Sequence, residues 1–452
     1  MIAPGIFREY DIRGIWGEDL TGDSVRAIGK AFAFYLKNNV SKDSLTVTVG
    51  RDVRLSSPAI FGYLTEGLLE SGIDVIDVGV CPTPLQYFSL YKLNADGGIM
   101  ITGSHNPPEY NGMKLTVGRE TIHGTKIRDI RRLIEAGSVI RGNGRMQSHN
   151  IIPEYIAHMK DAFKGFEKIK VVVDAGNGTG GLVAPALLRE LGCDVVELFC
   201  EPDGSFPNHH PDPVVLENIH TLVSRVRSEH AALGIGYDGD ADRIGIVDED
   251  GDVVWGDRLM IIFSRDLLKE KKGATIIGEV KCSQTMFDDI EANGGNAIMW
   301  KVGHSLLKSK MKETGALLAG EMSGHIFFAD RYFGYDDAIY ASLRLIEILS
   351  KRGRPYSIKS LLSGIPPAVS TPEIRFDCPD ELKFGVVEKA KIAFSDYPVF
   401  DIDGIRISFN NGWGLIRASN TQPALVMRFE AADTDSLIRI RTLVEDRLKK
   451  LL

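Results

Sequence analysis

The sequence predicts an α/β protein: three related mixed-sheet α/β domains followed by a C-terminal α+β domain with an antiparallel sheet. Three observations lead there. A short β-branched strand, a polar or glycine loop, a helix, a glycine stop and a second strand occur in that order three times. Such units build helix-covered sheets with parallel strands. From about Thr371 the grammar changes to short strands around an Asn-Gly pair, the signature of a tight antiparallel hairpin. Finally, 452 residues, 44% hydrophobic and 25% charged, are enough chain for several ordinary globular cores.

The first unit runs from Leu45 to Gly50 as a strand, continues as a helix, and restarts at Gly72 with the strand Ile73 to Val78. The second has the strand Lys170 to Asp174, a helix from Leu182 to Leu191, then Gly192 and Cys193 to Leu198. The third has Ala274 to Gly278, a helix near Gln284 to Ala292, then Gly294 and a strand ending at Trp300. The loop after each first strand is where ligands usually sit in such sheets. In the last segment, strands at Phe400–Phe409, Gly414–Ala418 and Ala424–Glu430 surround an Asn411-Gly412 turn. A closing helix carries Leu437, Ile440, Val444, Leu448 and Leu451 at helical spacing. These readings divide the chain at 1–150, 151–254, 255–368 and 369–452.

The net charge of −8 disfavours general binding to nucleic acid or an anionic membrane, so neither is expected as a partner. No run approaches the ~18 apolar residues of a membrane span, and no secretory signal is visible. Five cysteines without a Cys-x-x-Cys pair read as reduced thiols of a cytoplasmic protein. If the ligand is anionic, cations must gather locally against the overall charge.

The loop Thr102-Gly-Ser104-His105-Asn-Pro-Pro-Glu-Tyr-Asn follows an apolar strand. Its glycine, prolines and asparagines forbid helix and present the Ser104 hydroxyl. Adjacent Ser and His suit a proton relay poorly, so another group must activate Ser104. Asp238-Gly-Asp240-Ala-Asp242-Arg243 places three carboxylates at alternate positions, able to converge on a hard divalent cation, with Arg243 ready for a phosphate. An EF-hand is excluded because Arg243 stands where its loop needs glycine. Glu321 and Ser323, two residues apart in Gly320-Glu-Met-Ser-Gly-His325, could grip neighbouring sugar hydroxyls. Arg417-Ala-Ser419-Asn420-Thr421 offers a phosphate cradle. Arg13, Lys114, Arg243, Lys281, Lys301 and Arg417 could supply the local positive charge. Gly176-Asn-Gly178-Thr-Gly-Gly181, with Glu197 beyond it, matches the dinucleotide fingerprint literally. The other two units lack it, so it reads more simply as a packed strand-to-helix turn.

Taken together, Phe7-Arg-Glu-Tyr10-Asp-Ile-Arg13-Gly, Thr102-Gly-Ser104-His-Asn-Pro, the Asp238–Arg243 run, Gly320–His325 and Arg417–Thr421 closely resemble the α-D-phosphohexomutases, specifically the bacterial phosphomannomutase/phosphoglucomutase group. The resemblance spans nearly the whole chain in order. It implies four domains around a central active-site cleft, one loop from each. Ser104 would be the phosphoserine, and Asp238, Asp240 and Asp242 would bind Mg²⁺ together with its phosphate. Glu321 and Ser323 would hold sugar hydroxyls, and Arg417, Ser419, Asn420 and Thr421 the phosphate that is not reacting. Tyr10, Arg13, His105, Lys114, Arg243, Lys281, Lys301, Gly303, His304 and His325 would be supporting groups.

The implied activity interconverts hexose 1-phosphate and hexose 6-phosphate of mannose or glucose. Glucose 1,6-bisphosphate (or mannose 1,6-bisphosphate) would be both activator and intermediate, acting on a monomer or homodimer. Lys114 is the expected base, its pKa lowered by surrounding cations, with His325 and His304 as rivals. Gly103 and Met322 depart from the glucosamine mutases of the family, which carry Ala and Gln there, and so favour plain sugars. The alternatives are a phosphoglucosamine mutase, a phosphatase using Ser104, a non-catalytic sugar-phosphate sensor, and an NAD-linked oxidoreductase.

Overall fold

The computed structural model describes residues 2–420 and 423–451. Four sheets follow one another along the chain. The first is seven-stranded, in the order Ile12–Ile15, Tyr110–Val117, Gly97–Ile101, Thr46–Arg51, Asp74–Val80, Met146–Ser148, with Glu120–Thr121 on Tyr110–Val117. Gly97–Ile101, Thr46–Arg51, Asp74–Val80 and Met146–Ser148 are parallel, whereas Tyr110–Val117 is antiparallel to both its neighbours, Gly97–Ile101 and Ile12–Ile15. The second sheet orders Val253–Val254, Ile244–Val247, Leu233–Tyr237, Lys170–Asp174 and Asp194–Leu198. The third orders Asn296–Trp300, Thr275–Glu279, Leu318–Gly320 and Ile326–Phe328. The fourth is antiparallel, built on Ile405–Phe409, Gly412–Ala418 and Ala424–Ala431.

Mixed sheets give the fold its functional logic. In each of the first three, the last parallel strand turns into an antiparallel hairpin: Ile101 pairs with Met113, Tyr237 with Ile244, Gly320 with Ile326. The loops closing these hairpins are the serine, aspartate and Glu321 loops. The fourth sheet repeats the device, with Ala418 opposite Leu425 across the Ser419–Asn420 loop. Ligands were expected at the loop after the first strand of each unit; the candidate serine, aspartate and Glu321 loops lie instead in the hairpin after the last parallel strand. The first-strand loops hold supporting groups, Arg54 and Lys281 among them.

The elements form for local reasons. Helix Gly22–Asn39 starts at a Thr21–Ser24 capping box and buries Val25, Ile28, Phe32 and Leu36 at helical spacing against Val47, Leu64 and Ile99. Truncating Phe32 to alanine there costs about 3–5 kcal/mol. A second core is continuous from helix Thr83–Lys92 of the first sheet through the second and third, including Phe88, Tyr155, Ile235, Phe263 and Tyr340. The fourth sheet has its own core around Phe394, Leu425, Phe429 and Val444. It meets the third through Val280, Trp413 and Leu415. There Arg406, stacked 3.7 Å over Trp413, donates to the Val280 and Cys282 carbonyls at 2.7 Å each.

Two local readings shift. The helix after Gly176 is a 3₁₀ turn, Thr179–Leu182, then Ala184–Glu190. The hairpin turn is Asn410–Asn411, because Phe409 pairs with Gly412, so the strand begins at Gly412 and not at the expected Gly414. All five cysteines are free and buried. Among the described residues, no helix is long and apolar enough to cross a membrane.

Candidate active site

Ser104 sits in a left-handed conformation, φ 51°, which an L-residue adopts only when its surroundings impose it. Arg54 imposes it. This fully buried guanidinium donates to the carbonyls of Ser104 at 2.7 Å, Asn106 at 2.6 Å, Pro107 at 2.5 Å and Tyr110 at 3.0 Å, so the loop wraps around one cation. Asp52 holds Arg54 Nε at 3.1 Å and accepts the Gly103 N–H at 3.1 Å. A Cβ on Gly103 would lie 2.5 Å from Arg54 Nε, so Gly103 is explained by this close packing, whatever the sugar. The Ser104 hydroxyl is left 3.1 Å from Asp238 Oδ2 and 3.1 Å from His105 Nδ1. Burial, then Arg243 and Arg13, push His105 well below the usual histidine value. Arg13 donates to Asn106 Oδ1 at 2.7 Å and pairs with Asp11.

The aspartate loop is bent by Ala241, at φ 56°, and by Asp238 Oδ1 accepting the backbone N–H of Asp242 and Arg243, each at 3.1 Å. Asp238, Asp240 and Asp242 are wholly buried and place one oxygen each within 4.8 Å of one another. Burial, then Asp240 and Asp242, push Asp238 well above the usual carboxylate range. Burial works the same way on Asp240, yet Lys114 and the Thr83 hydroxyl, 2.5 Å away, hold it below its ordinary value. Asp240 Oδ1 is buried without a hydrogen-bond partner. Crowded hard oxygens with a spare ligand atom fit a small divalent cation such as Mg²⁺.

Lys114 departs from its expected role. Its Nζ donates to Asp240 Oδ2 at 3.0 Å and also to Asp242 Oδ2. Burial disfavours the ammonium, but the two carboxylates outweigh burial and hold its pKa well above the usual lysine value. Its immediate surroundings are therefore anionic, the reverse of the cationic setting expected to free a proton from it.

Loop three locks onto loop two. The Ile244 N–H donates to the Gly324 carbonyl at 3.0 Å, and Arg243 Nε donates to His325 Nε2 at 2.9 Å. That bond puts the His325 ring proton on Nδ1, which lies 3.0 Å from Asp336 Oδ2 and 3.5 Å from Asp242 Oδ1 without the alignment of a hydrogen bond to either. The His304 ring stacks on His325, centroids 5.5 Å apart. Burial, reinforced by Lys308, pushes His304 well below the usual value. Glu321 Oε1 accepts the Gly303 N–H at 2.5 Å, and Ser323 Oγ donates to Glu321 Oε2 at 3.0 Å. Gly303 is required: its φ is 131°, and a Cβ would lie 2.5 Å from the Tyr10 ring.

The fourth loop joins through Tyr10, whose hydroxyl donates to the Val302 carbonyl at 2.7 Å and accepts from Asn420 Nδ2 at 2.6 Å. Asp403 bridges the Val302 N–H at 3.0 Å and Arg417 at 3.1 Å. Buried Ser419 lies next to Arg417 in this loop. Lys281 is buried and pairs with Glu373 at 3.2 Å. Thr421 lies outside the described residues. Lys301 is exposed beyond strand Asn296–Trp300, and among the described residues no ion pair or hydrogen bond ties it to the other candidates.

The glycine run at Gly176 is structural. A Cβ at Gly178 would meet the Gly239 carbonyl at 2.6 Å and one at Gly181 the Cys200 carbonyl at 1.9 Å, while Thr179 donates to Gly239. It buttresses the aspartate loop. Glu197, the ribose ligand of the dinucleotide reading, is paired with Arg189. Sequence reasoning missed Arg54, Thr83, Asp336, Lys308 and Asp403. Each is a single residue that no motif flags, and all but Lys308 lie on loops or helix starts of ordinary composition.

Family models for phosphoglucomutase/phosphomannomutase match four successive segments: alpha/beta/alpha domain I over 4–139, domain II over 153–251, domain III over 255–366 and the C-terminal domain over 373–447. The chain is 44% identical over 450 residues to a phosphomannomutase/phosphoglucomutase of Pseudomonas aeruginosa, covering 99% of this chain and 96% of that one. It is 42% identical over 446 residues to a phosphoglucomutase of Neisseria meningitidis, covering 97% and 96%. A crystal structure of a phosphoglucomutase/phosphomannomutase family protein from Burkholderia thailandensis superposes with a TM-score of 0.93 at 40% identity, covering 100% of this chain and 98% of that one.

Proposed function

The chain belongs to the phosphoglucomutase/phosphomannomutase family, and from that premise we propose the following course for its reaction. The protein is a phosphohexomutase that interconverts hexose 1-phosphate and hexose 6-phosphate through a phosphoserine and a hexose 1,6-bisphosphate. Ser104 carries the phosphoryl group, and glucose and mannose phosphates are both substrates. The observation that carries this reading is the meeting of Ser104 Oγ, Asp238 and Arg243's loop in one buried place, with the Glu321 pair and the Arg417 loop reached through the Tyr10 contacts. Domain boundaries after residues 150, 254 and 368 accompany it, supported by each sheet's strands falling inside one segment.

In the forward half-reaction the Oγ–P bond of phosphorylated Ser104 breaks as the free hydroxyl of the sugar monophosphate bonds to phosphorus. The sugar's hydroxyl proton leaves to a base, and Ser104 departs as an alkoxide that is protonated within the site. Arg243, whose backbone N–H bonds Asp238 Oδ1, would turn its guanidinium to the moving phosphoryl group. Asp238, Asp240 and Asp242 would hold Mg²⁺, which when bound neutralises charge on phosphoryl oxygens. His325 takes that proton once Arg243 Nε turns from its Nε2 to the phosphoryl group and frees the lone pair, while Asp240 and Asp242 hold the proton of Lys114. His304 and His105 are supporting groups.

Glu321 and Ser323 hold the sugar's 3- and 4-hydroxyls. Arg417, Ser419, Asn420 and Thr421 hold the distal phosphate, with Tyr10, Lys281 and Gly303 shaping that end. A grip on the 3- and 4-hydroxyls ignores C2, which is why both epimers fit. The bisphosphate then turns round, presents its other phosphate, and rephosphorylates Ser104. The cleft must open for this, and the contacts that would part are Tyr10–Asn420 and Tyr10–Val302.

The test is turnover of glucose 1-phosphate and mannose 1-phosphate with Mg²⁺ and a trace of glucose 1,6-bisphosphate. Both 6-phosphates should form, and neither with Ser104→Ala. Phosphate release exceeding isomerisation would make the protein a phosphatase. Glucosamine phosphate turned over as well or better would move the substrate within the family.

A further inference from the structure

We propose that Asp242, His304, His325 and Asp336 form a second cation site, selective for zinc-class ions, whose filling switches the active site off. Three buried residues, Asp242, His325 and Asp336, bring one ligand atom each within 4.8 Å of one another, and His304 Nδ1 stands 3.7 Å from Asp336 Oδ2 at the edge of the group. Asp242 Oδ1, His304 Nδ1, His325 Nδ1 and Asp336 Oδ2 all lack a hydrogen-bond partner, and their residues are 0%, 8%, 3% and 0% exposed. Orphaned polar atoms at such depth are rare and call for an explanation. Asp336 Oδ2 lies 3.0 Å from His325 Nδ1 and 3.7 Å from His304 Nδ1, and Asp242 Oδ1 lies 3.5 Å from His325 Nδ1. Donors about 2.0–2.2 Å from a tetrahedral zinc ion are about 3.3–3.6 Å apart. These three separations bracket that edge length, and His304 Nδ1 would have to move toward Asp242 and His325 as the ion enters.

Donor chemistry separates this site from the carboxylate triad. Two imidazoles and two carboxylates suit Zn²⁺ or Co²⁺ over Mg²⁺, whereas an all-oxygen triad suits Mg²⁺. The oxygens not facing the cluster are already occupied: Lys308 Nζ holds Asp336 Oδ1 at 3.1 Å and Lys114 holds Asp242 Oδ2. Those two ammonium groups also oppose a further cation, so the affinity belongs to a regulatory site, below that of a structural zinc.

Filling the site has one direct consequence. His325 Nδ1 must ligate through its lone pair, which moves the ring proton to Nε2. Nε2 then cannot accept from Arg243 Nε, now 2.9 Å away, and presents the cleft with a donor where the reaction needs an acceptor. Arg243 and His325 are disengaged together. Asp242 is shared with the triad and its Oδ2 is held by Lys114, so a cation at this site and one at the triad are coupled through a single carboxylate, and Lys114 must yield Oδ2 when both are filled.

The test reads metal binding and so stands apart from the mutase assignment. The protein is saturated with Mg²⁺ and dialysed against Zn²⁺, and bound metals are counted. One zinc per chain retained above the Mg²⁺, with affinity at least about tenfold weaker in both Asp336→Asn and His304→Gln, supports the site. Co²⁺ added to the unaltered, Mg²⁺-saturated protein should give the intense visible absorption of a four-coordinate ion, a reading independent of whether either variant folds. No retained zinc, zinc displaced by Mg²⁺, equal retention in the variants, or only the weak absorption of six-coordinate Co²⁺ would overturn the proposal.

Discussion

Replacing Lys114 with methionine tests the electrostatics of the site directly. The ammonium is buried and shared between Asp240 and Asp242, in a loop that also holds Asp238. Methionine fills most of its volume but leaves three buried carboxylates with their principal cation gone. Breaking a buried ion pair by removing one partner costs about 3–5 kcal/mol, because the remaining charge stays uncompensated. At ~1 °C per kcal/mol for a chain of 452 residues this is a fall in Tm of about 3–5 °C in EDTA. A divalent cation restores the missing charge, so adding Mg²⁺ should raise the Tm of Lys114→Met more than that of the parent. A ligand at a hundredfold its Kd adds about 2.7 kcal/mol, and the variant, freed of the competing ammonium, should exceed the parent's increment. The assay is thermal unfolding followed by circular dichroism, with EDTA or Mg²⁺, on both proteins. Equal losses with and without Mg²⁺, or no loss in EDTA, would refute the reasoning. Turnover should also fall strongly while phosphorylation of Ser104 survives.

Further outcomes follow from neighbouring contacts. Arg417→Gln removes the charged donor at the distal phosphate; KM should rise about tenfold to a hundredfold, the equivalent of ~1.5–3 kcal/mol, with a smaller change in kcat. Gly303→Ala forces a Cβ into the Tyr10 ring at a φ of 131° and should destabilise the protein by about 1–3 kcal/mol, read by thermal unfolding. Lys281, opposed by partial burial, holds the Glu373 carboxyl down to about 2 from an ordinary 4.5. A depressed acid contributes stability that is complete above pH 4.5 and disappears as pH falls toward 2. The contribution is up to about 3 kcal/mol, and Glu373→Gln should flatten the stability profile across that window; an unchanged profile would contradict the pairing.

The reactive loops were legible because each breaks the periodicity of its strand with glycine, proline or alternating carboxylates, and each carries its chemistry within a few residues. The three repeated units and the antiparallel last sheet were legible for the same local reasons. What escaped was set by contacts across the chain. Lys114 meets Asp240 and Asp242 more than a hundred residues away, so its anionic surroundings could not be read from its own strand. Asp336 meets His325 only after Ile326–Phe328 has turned back and helix Ala338–Arg352 has begun. Arg54 is a lone arginine in a loop until the serine loop folds round it. Lys301 looked like one more cation for the cleft, but its place past the end of an edge strand leaves it in solvent.

The central claim is that Ser104 is the phosphoryl carrier. The protein would be charged with glucose 1,6-bisphosphate, digested and mapped by mass spectrometry, then chased with hexose monophosphate. The account predicts the phosphoryl group on the peptide holding Ser104 and its loss on the chase as hexose bisphosphate forms. Phosphoryl on another residue, or its release from Ser104 only as inorganic phosphate, would contradict it.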